Sequence, residues 1–296
     1  QWQQQQQQQQ SPLQPCNDQG ILQNLFLARN NLRGRLPSEL FHLTSLTRLS
    51  VQGNHLSGQI PTTAATTMGG ITNLQQLRSL DVSNNDMTGT IPTELWIRLT
   101  NLEKIGLAKN RFYGTIPPEF IGNLRNLTKL SLSTNELSGT LPSALFSLVG
   151  LKQLDVARNS FQGTLPTQIG RLTKLRSLDV SSNDMMIGTL PTEIGSLVQL
   201  ARLDASGLLH LNGTLPSELG MLTRLQSLIL SYCTLTGTVP SEFQHLTSLT
   251  RLSLQGNQLT GNASSFLCHP IDSPPLDEFS VDLERVTCSC CSCCNY

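Results

Sequence analysis

The sequence predicts a repeat solenoid of the α/β class, with a parallel β-sheet on its concave face and short helical turns on its convex face. A pattern, L-x-x-L-x-L-x-x-N-x-L-x-G-x-(I/L/V)-P, recurs ten times in steps of 24 to 25 residues, apart from one step of 31. Residues 42–50 recur unchanged as residues 245–253. Leucines alternate at period two, as in Leu130-x-Leu132, which is typical of a half-buried strand. One turn cannot bury its leucines alone, so only the stack is stable.

The asparagine of each repeat follows the predicted strand, where the chain turns. Its side-chain amide both donates and accepts hydrogen bonds, so we predict a ladder of stacked asparagines that satisfies backbone groups left unpaired by the turns. Leu208 and Cys233 interrupt this ladder in turns eight and nine. The predicted ladder residues are Asn30, Asn54, Asn85, Asn110, Asn135, Asn159, Asn183 and Asn257.

The rest of each repeat predicts the return path. Its glycine permits a backbone shape that other residues resist, and its proline ends a second extended stretch before a short helical turn. The long step contains a Thr/Ala/Gly-rich insertion at residues 62–70. Turns seven and eight each carry one extra residue, within 184–187 and 208–211. A bulge there could shape a binding edge, although solenoid loops usually tolerate such insertions without a purpose.

The chain divides into three predicted parts. Residues 1–15 are expected to form a disordered tail, because nine of the first ten residues are Gln and cannot bury a core. Residues 16–266 hold the ten repeats. Residues 267–296 are expected to form a Cys-rich C-terminal cap that covers the open end of the core.

The eight cysteines gather near the ends of the chain, where they suggest disulfide caps in an oxidising compartment. Cys16 and Cys268 flank the repeats, and only Cys233 lies inside them. A metal–thiolate cluster is the alternative, but no histidine accompanies the terminal run and adjacent cysteines are poor tetrahedral ligands, so we predict no metal site. The disulfide candidates are Cys268, Cys288, Cys290, Cys291, Cys293 and Cys294, and the sequence does not choose among their pairings.

The L-x-G-x-(I/L)-P half of the repeat resembles the plant-type extracellular class of leucine-rich repeats, found in receptor-like ectodomains and secreted proteins of plants and algae. The resemblance covers residues 16–266, and residues 16–21 look like the end of that class's N-terminal cap. It implies a leucine-rich-repeat superhelix, located outside the cell or at its surface. It also implies a non-enzymatic role in binding a protein, peptide or glycan through the concave or lateral face.

Outward residues of the strands are the first candidates for ligand binding. Asp155, Asp179 and Asp204 would stand about 5 Å apart on neighbouring strands and repel one another unless nearby cations compensate. The cations expected to do so are Lys152, Arg158, Arg176 and Arg202. The functional interpretation is a mixed-charge groove for a polar peptide or glycan, and the alternative is an ordinary consensus that keeps the face soluble. The predicted binding residues are Arg78, Asp81, Lys104, Lys129, Lys152, Asp155, Arg176, Asp179, Arg202 and Asp204.

A threonine column follows the repeat glycines and raises a second possibility, an ice-binding surface. A second rank of threonines is absent, and β-branched residues also favour extended backbone on their own account. A secreted inhibitor of a cell-wall hydrolase and an adhesion or coat protein are further alternatives. The threonines are Thr90, Thr115, Thr140, Thr164, Thr189, Thr214 and Thr238.

Other functions find little support. The formal net charge is zero, which gives no electrostatic case for nucleic acid. The sequence has no apolar run long enough to span a bilayer as a helix. The five histidines occupy unrelated repeat positions, so we predict neither catalysis nor a cofactor. Glycosylation is possible at three Asn-x-Ser/Thr sites, Asn126, Asn212 and Asn262.

Overall fold

The computed structural model describes residues 21–62, 70–262, 278–282 and 286–287 of the chain. In these ranges, one short strand per repeat pairs in parallel with the strand of the next repeat, in sequence order. We call this the concave sheet and number the turns of the solenoid by its strands. The strands are Asn24–Phe26, Arg48–Ser50, Ser79–Asp81, Lys104–Gly106, Lys129–Ser131, Gln153–Asp155, Ser177–Asp179, Arg202–Asp204, Ser227–Ile229, Arg251–Ser253 and Glu278–Ser280.

Alternation at period two sets the two faces of this sheet. Leu49 and Val51 are buried on either side of Ser50, which faces outward. The outward residue between the two buried apolar residues, such as Ser50, pairs with its counterpart in the next turn. These residues form one continuous column across the turns, in the predicted register. The eleventh strand, Glu278–Ser280, lies within the segment predicted as the C-terminal cap, so the sheet extends one strand beyond the ten predicted repeats.

The second half of each repeat forms a second, lateral layer of parallel strands. Its first sheet has eight strands, and an isolated bridge between Thr214 and Thr236 continues it into a three-stranded sheet. The eight are Arg33–Gly34, His55–Gly58, Asp86–Thr90, Arg111–Gly114, Glu136–Thr140, Ser160–Gly163, Met185–Gly188 and His210–Leu211. The other three are Thr236–Thr238, Gln258–Asn262 and Val286–Thr287.

Short helices return the chain along the convex face, as the sequence predicted. Most are single 3-10 segments that begin directly after the repeat proline, whose extended backbone ends the lateral strand. The 3-10 helices are Ser38–His42, Ile71–Asn73, Ser143–Ser147, Thr167–Arg171, Thr192–Ser196, Ser217–Met221 and Ser241–His245. Thr93–Arg98 and Pro118–Ile121 are α-helical.

The core is one continuous cluster of leucines that runs the length of the stack. The core also contains aromatic residues, of which Phe41, Trp96 and Phe112 are fully buried. Because every turn contributes to the same cluster, each turn is stabilised mainly by its two neighbours.

The asparagine ladder forms, and Asn135 shows its geometry. Its Nδ2 donates to the carbonyl of Leu132 in its own turn at 2.9 Å and to that of Leu107 in the preceding turn at 3.0 Å. Its Oδ1 accepts the backbone N–H of Phe112 at 3.0 Å. Asn54, Asn85, Asn110, Asn159, Asn183 and Asn257 repeat this arrangement. The side chain of Asn30, at the start of the described stack, donates to the carbonyl of Ala28 in its own turn, and its backbone N–H donates to Oδ1 of Asn54 at 2.9 Å.

The insertion leaves the stack undisturbed because its two ends meet. Ile71 donates its backbone N–H to the carbonyl of Pro61 at 3.0 Å. A Cβ on Gly70 would lie 2.6 Å from the carbonyl carbon of Thr62, so this close approach requires glycine. Residues 63–69 lie outside the described ranges, as do the predicted tail and most of the predicted cap.

Candidate functional site

The concave sheet carries an open groove across turns four to eight, with a volume of about 740 Å³. It is lined by charged and hydroxyl side chains from the concave strands and from the loops that follow them. The lining residues are Lys109, Ser133, Thr134, Asp155, Ala157, Arg158, Asp179, Ser181, Ser182, Arg202, Asp204 and Ser206. The structure therefore brings Asp155, Asp179, Arg202 and Asp204, four of the predicted binding residues, together in one groove.

Serines two positions further along the chain hold three of the aspartates. Asp179 accepts from the hydroxyl of Ser181 at 2.6 Å and from its backbone N–H at 3.2 Å. Asp204 is held in the same way by Ser206, with a hydroxyl distance of 2.7 Å. The same bonds join Asp81 and Ser83. These bonds direct the carboxylates towards the end of the strands where the loops begin.

Asp155 has a different serine partner, from the preceding turn. It accepts from the hydroxyl of Ser133 at 2.6 Å and from that of Ser131 at 3.1 Å. No Ser follows it at the position of Ser181, since Ala157 stands there and donates only its backbone N–H. All four aspartates are thus fixed by hydroxyl groups.

Arg202 compensates two of the stacked aspartates. It lies 3.1 Å from Asp204 and 4.0 Å from Asp179. Burial raises the pKa of Asp179, and the carboxylates of Asp204 and Asp155 raise it further, while the Ser181 hydroxyl opposes the shift. The carboxylates therefore repel one another across neighbouring strands, as their spacing predicted.

The other predicted compensating cations do not reach these carboxylates. Within the described ranges, Lys152, Arg158 and Arg176 form no ion pair or side-chain hydrogen bond. Their side chains are exposed. The predicted compensation is therefore correct for Arg202 and wrong for these three, because the serines turn the carboxylates towards the strand ends.

The remaining predicted binding residues lie along the margin where the strands begin. Arg78 forms an ion pair of 3.0 Å with Glu103 of the next turn. Lys104 and Lys129 are exposed, stand opposite each other in adjacent strands, and have no ion-pair partner among the described residues. Asp81 lies further towards the N-terminus than the groove.

The threonine column has a packing role. All seven threonines are exposed, and each turns its methyl group over the glycine of the next turn. A Cβ on Gly139, for example, would lie 2.8 Å from Cγ2 of Thr115. Gly139 has a φ of 77°, so glycine here meets both a backbone and a packing requirement. This packing accounts for the column without a ligand.

An apolar patch on the lateral layer escaped the sequence analysis. Met185 and Ile187 of turn seven are 58% and 50% exposed, and Leu209 of turn eight is 51% exposed. The same positions in other turns carry mainly polar residues, such as Glu136 and Ser160. The patch lies where turns seven and eight each carry one extra residue. These insertions are the sequence feature from which the patch could have been predicted.

Two of the three possible glycosylation sites are accessible, since Asn126 and Asn212 are exposed. The side chain of Asn262 and all six predicted disulfide cysteines lie outside the described ranges, as does Cys16. Cys233 is a free, buried thiol that donates to the carbonyl of Ala205 at 3.3 Å. Burial raises its pKa to about 11.

Across the described ranges, no helix combines the length and apolar character needed to cross a membrane. The same ranges contain no group of three His, Cys, Asp or Glu side chains placed to hold a metal ion.

Three family models match the repeats. The model "Leucine rich repeat" matches residues 100–161 and 125–185, and "Leucine Rich Repeat" matches residues 22–43, 45–65, 76–96 and 224–246. A third model of the same name matches residues 245–268. Together the matches cover most of residues 22–268, and residues 186–223 lie outside them.

Known proteins with similar repeats include plant receptors. The chain is 41% identical over 83 residues to the leucine-rich repeat receptor protein kinase MSL1 of Oryza sativa subsp. japonica, covering 28% of this chain and 5% of that protein. It is 30% identical to the ectodomain of the Arabidopsis receptor kinase HAESA, solved with a peptide hormone ligand, with a TM-score of 0.77. That match covers 88% of this chain and 41% of the other, so the chain spans less than half the length of these receptors.

A plant ice-binding protein has the same fold, with a TM-score of 0.72 and 23% identity, over 94% of this chain and 87% of that one. At this identity the likeness concerns the fold alone.

Three observations indicate the same family: the matched family models, the asparagine ladder and the two-layer arrangement of strands. The chain belongs to the leucine-rich-repeat family, with repeats similar to those of plant receptor ectodomains.

Proposed function

We propose that the chain is a non-enzymatic binding module, outside the cell or at its surface, that holds a peptide ligand in the groove of its concave sheet. The observation that carries this proposal is the groove itself. It lies across five consecutive turns and presents hydroxyl and charged groups of both signs on a rigid sheet. A sheet of this kind positions side chains more precisely than loops do.

Similar proteins support a peptide as the ligand. The HAESA ectodomain was solved with a peptide hormone, and its structure matches most of this chain. An extended peptide has backbone and side-chain polar groups that the hydroxyls and charges of the groove can pair. The resemblance to receptor ectodomains also supports the extracellular or cell-surface location.

Selection from a library of random displayed peptides tests the proposal. Peptides that bind should protect backbone amides of turns four to eight from hydrogen exchange. Ser133→Trp, at a residue that lines the groove, should abolish their binding by filling it. Thr167→Trp adds the same side chain at an exposed position of a convex helix and should leave binding unchanged.

The proposal is wrong if the library yields no binder, or if the selected peptides bind both tryptophan variants equally. Protection confined to the lateral or convex faces would also place binding elsewhere. Circular dichroism of both variants checks that the fold is intact.

A further inference from the structure

The charges of this neutral chain are unevenly distributed over its faces. In turns one to ten, eleven of the 20 Lys and Arg residues occupy the outward positions of the concave strands and their flanking residues, against five acidic residues. The cations are Arg29, Arg48, Arg78, Lys104, Lys109, Lys129, Lys152, Arg158, Arg176, Arg202 and Arg251. The acids are Asp81, Glu103, Asp155, Asp179 and Asp204.

Acidic side chains prevail in a different place, the first turns of the convex helices. There a glutamate recurs directly after the Ser or Thr that follows the repeat proline. The residues are Glu39, Glu94, Glu193, Glu218 and Glu242. The zero net charge thus conceals a concave face with a cationic surplus and a convex face with an acidic column.

Four of the concave cations form one group, which we call the cation column: Lys104, Lys129, Lys152 and Arg176. They come from turns four to seven in succession. Lys104 and Lys129 are the first residues of their strands, and Lys152 and Arg176 each lie one residue before the strand of their turn. All four are exposed, and none has an ion pair or side-chain hydrogen bond within the described ranges. By contrast, Arg78 and Arg202 on the same face are paired.

The nearby carboxylates form no ion pairs with the cation column, and the structure shows why. Asp155 and Asp179 are close in sequence to these cations, but serine hydroxyls hold both carboxylates towards the opposite margin. Adjacent strands lie about 5 Å apart. Lys104 pairs with Lys129, and Lys152 and Arg176 occupy equivalent positions before the next two strands, so the like charges repel each other within each pair. An external anion placed along this margin would relieve that repulsion.

We infer that the concave sheet selects acidic peptides, whose side-chain carboxylates bind to the cation column on the same face as the groove. This inference rests on the proposed function and adds the chemistry of the ligand. Lysine and arginine heads move on long flexible stems, so four of them can adapt to the carboxylates of an extended peptide. The aspartates that line the groove repel the same carboxylates and confine the ligand's acidic residues to the cationic margin.

The test uses a short synthetic peptide in which Glu alternates with Gly, with Gln-Gly and Lys-Gly peptides of the same length as controls. Binding to the full chain is measured by fluorescence anisotropy at about 20 mM and about 150 mM salt. The Glu peptide should bind most tightly and weaken as salt rises. Changing all four column residues to Gln should weaken its binding by at least about tenfold.

A matched variant separates the site from overall charge. Arg98, Arg125, Arg171 and Lys174 are four exposed cations on the convex side without ion pairs among the described residues. Changing all four to Gln alters the net charge equally and should change affinity by less than about twofold. Equal losses in the two quadruple variants, or no binding of the Glu peptide at low salt, would overturn the inference.

The last ligand in the test is an oligogalacturonate, an acidic glycan that carries one carboxylate per sugar. If it binds through the cation column and the Glu peptide does not, the ligand is an acidic glycan and the inference is wrong. If library peptides bind in the groove without acidic residues, the inference fails while the proposed function stands. If the Glu peptide protects amides outside the concave sheet, both fail.

Discussion

Met186 donates its backbone N–H to the carbonyl of Asn183 at 2.9 Å, within its own turn. In the turn before, the corresponding N–H, that of Phe161, donates instead to the side chain of Asn183 at 3.1 Å. The difference arises because turn eight has Leu208 at the ladder position and offers no amide oxygen. The extra residue of turn seven lets the backbone close on itself and satisfy the N–H locally.

Turn eight repeats this relationship. Its extra residue lets Leu211 donate to the carbonyl of Leu208 at 2.9 Å, and the next turn carries Cys233 at the ladder position. Turn nine has no extra residue, and there Leu235 donates to Asn257 at 3.1 Å. Each extra residue therefore accompanies the loss of an asparagine one turn later, which gives these insertions a structural cause.

Restoring the asparagine alone should not help. We expect Leu208→Asn to lower the free energy of unfolding by about 1–3 kcal/mol, because the new amide oxygen meets no free N–H in the core. Deleting Met185 in the same chain should recover part of this loss. Chemical unfolding of both single changes and their combination measures the coupling, and strictly additive effects would contradict it.

Removing an intact ladder residue should be more damaging than removing a surface asparagine. Asn135→Ala should lower the free energy of unfolding by about 1–3 kcal/mol, since several backbone groups lose their partner at once. Asn101 is exposed and makes one hydrogen bond, to the carbonyl of Gln75, so Asn101→Ala serves as the control. Equal unfolding midpoints for the two variants would refute the ladder's role in stability.

The repeat pattern was sufficient to predict the strands, their register, the ladder and the convex helices, because each depends on spacing and on one residue type. The residue before each ladder position was not predicted. It adopts a left-handed backbone in all ten turns, and only Gly53, Gly207 and Gly256 indicate this. In the others, Arg29 and Tyr232 for example, tertiary contacts impose a conformation that the residue type does not reveal.

The candidate site was predicted in part. Strand spacing was enough to predict that Asp155, Asp179 and Asp204 would be neighbours. It did not predict that serines, rather than Lys152 and Arg176, would hold the carboxylates, because that choice depends on side-chain direction. Total charge was also misleading, since it hides the cationic surplus of the concave face.

Gly139 and Thr115 should show coupled effects. Gly139→Ala introduces a side chain at a φ of 77° and places its Cβ 2.8 Å from the Thr115 methyl group. We expect a loss of about 1–3 kcal/mol in the free energy of unfolding. Thr115→Ser removes that methyl group and should recover part of the loss in the double variant. No recovery would mean that backbone strain alone sets the cost.

Cys233 should resist alkylation in the folded protein. Its thiol is 6% exposed and its pKa is raised to about 11, so little thiolate forms at pH 8. Iodoacetamide should modify it only after unfolding, as followed by site-resolved mass spectrometry. Rapid modification of native protein at this site, compared with a denatured control, would contradict its burial.

Asp179 should make stability depend on pH with a defined sign. Its folded-state pKa lies above the ordinary value of 3.8, so its contribution to stability is full below that value and is lost as pH rises through the folded pKa. Asp179→Asn should therefore stabilise the protein at pH 7, by about 0.2–1 kcal/mol, because it removes one charge from the stacked carboxylates. The gain should disappear as the pH is lowered towards 3.8.

Ser181→Ala provides the opposite change at the same site. It removes the hydroxyl that donates to Asp179 at 2.6 Å, so it should destabilise the protein at pH 7 by about 1 kcal/mol. That loss should also shrink in acid, because the protonated carboxyl needs the donor less. Thermal unfolding across this pH range separates the two variants. If Asp179→Asn were destabilising at pH 7, the attraction to Arg202 would outweigh the repulsion from Asp155 and Asp204, and the groove would be electrostatically balanced without a ligand.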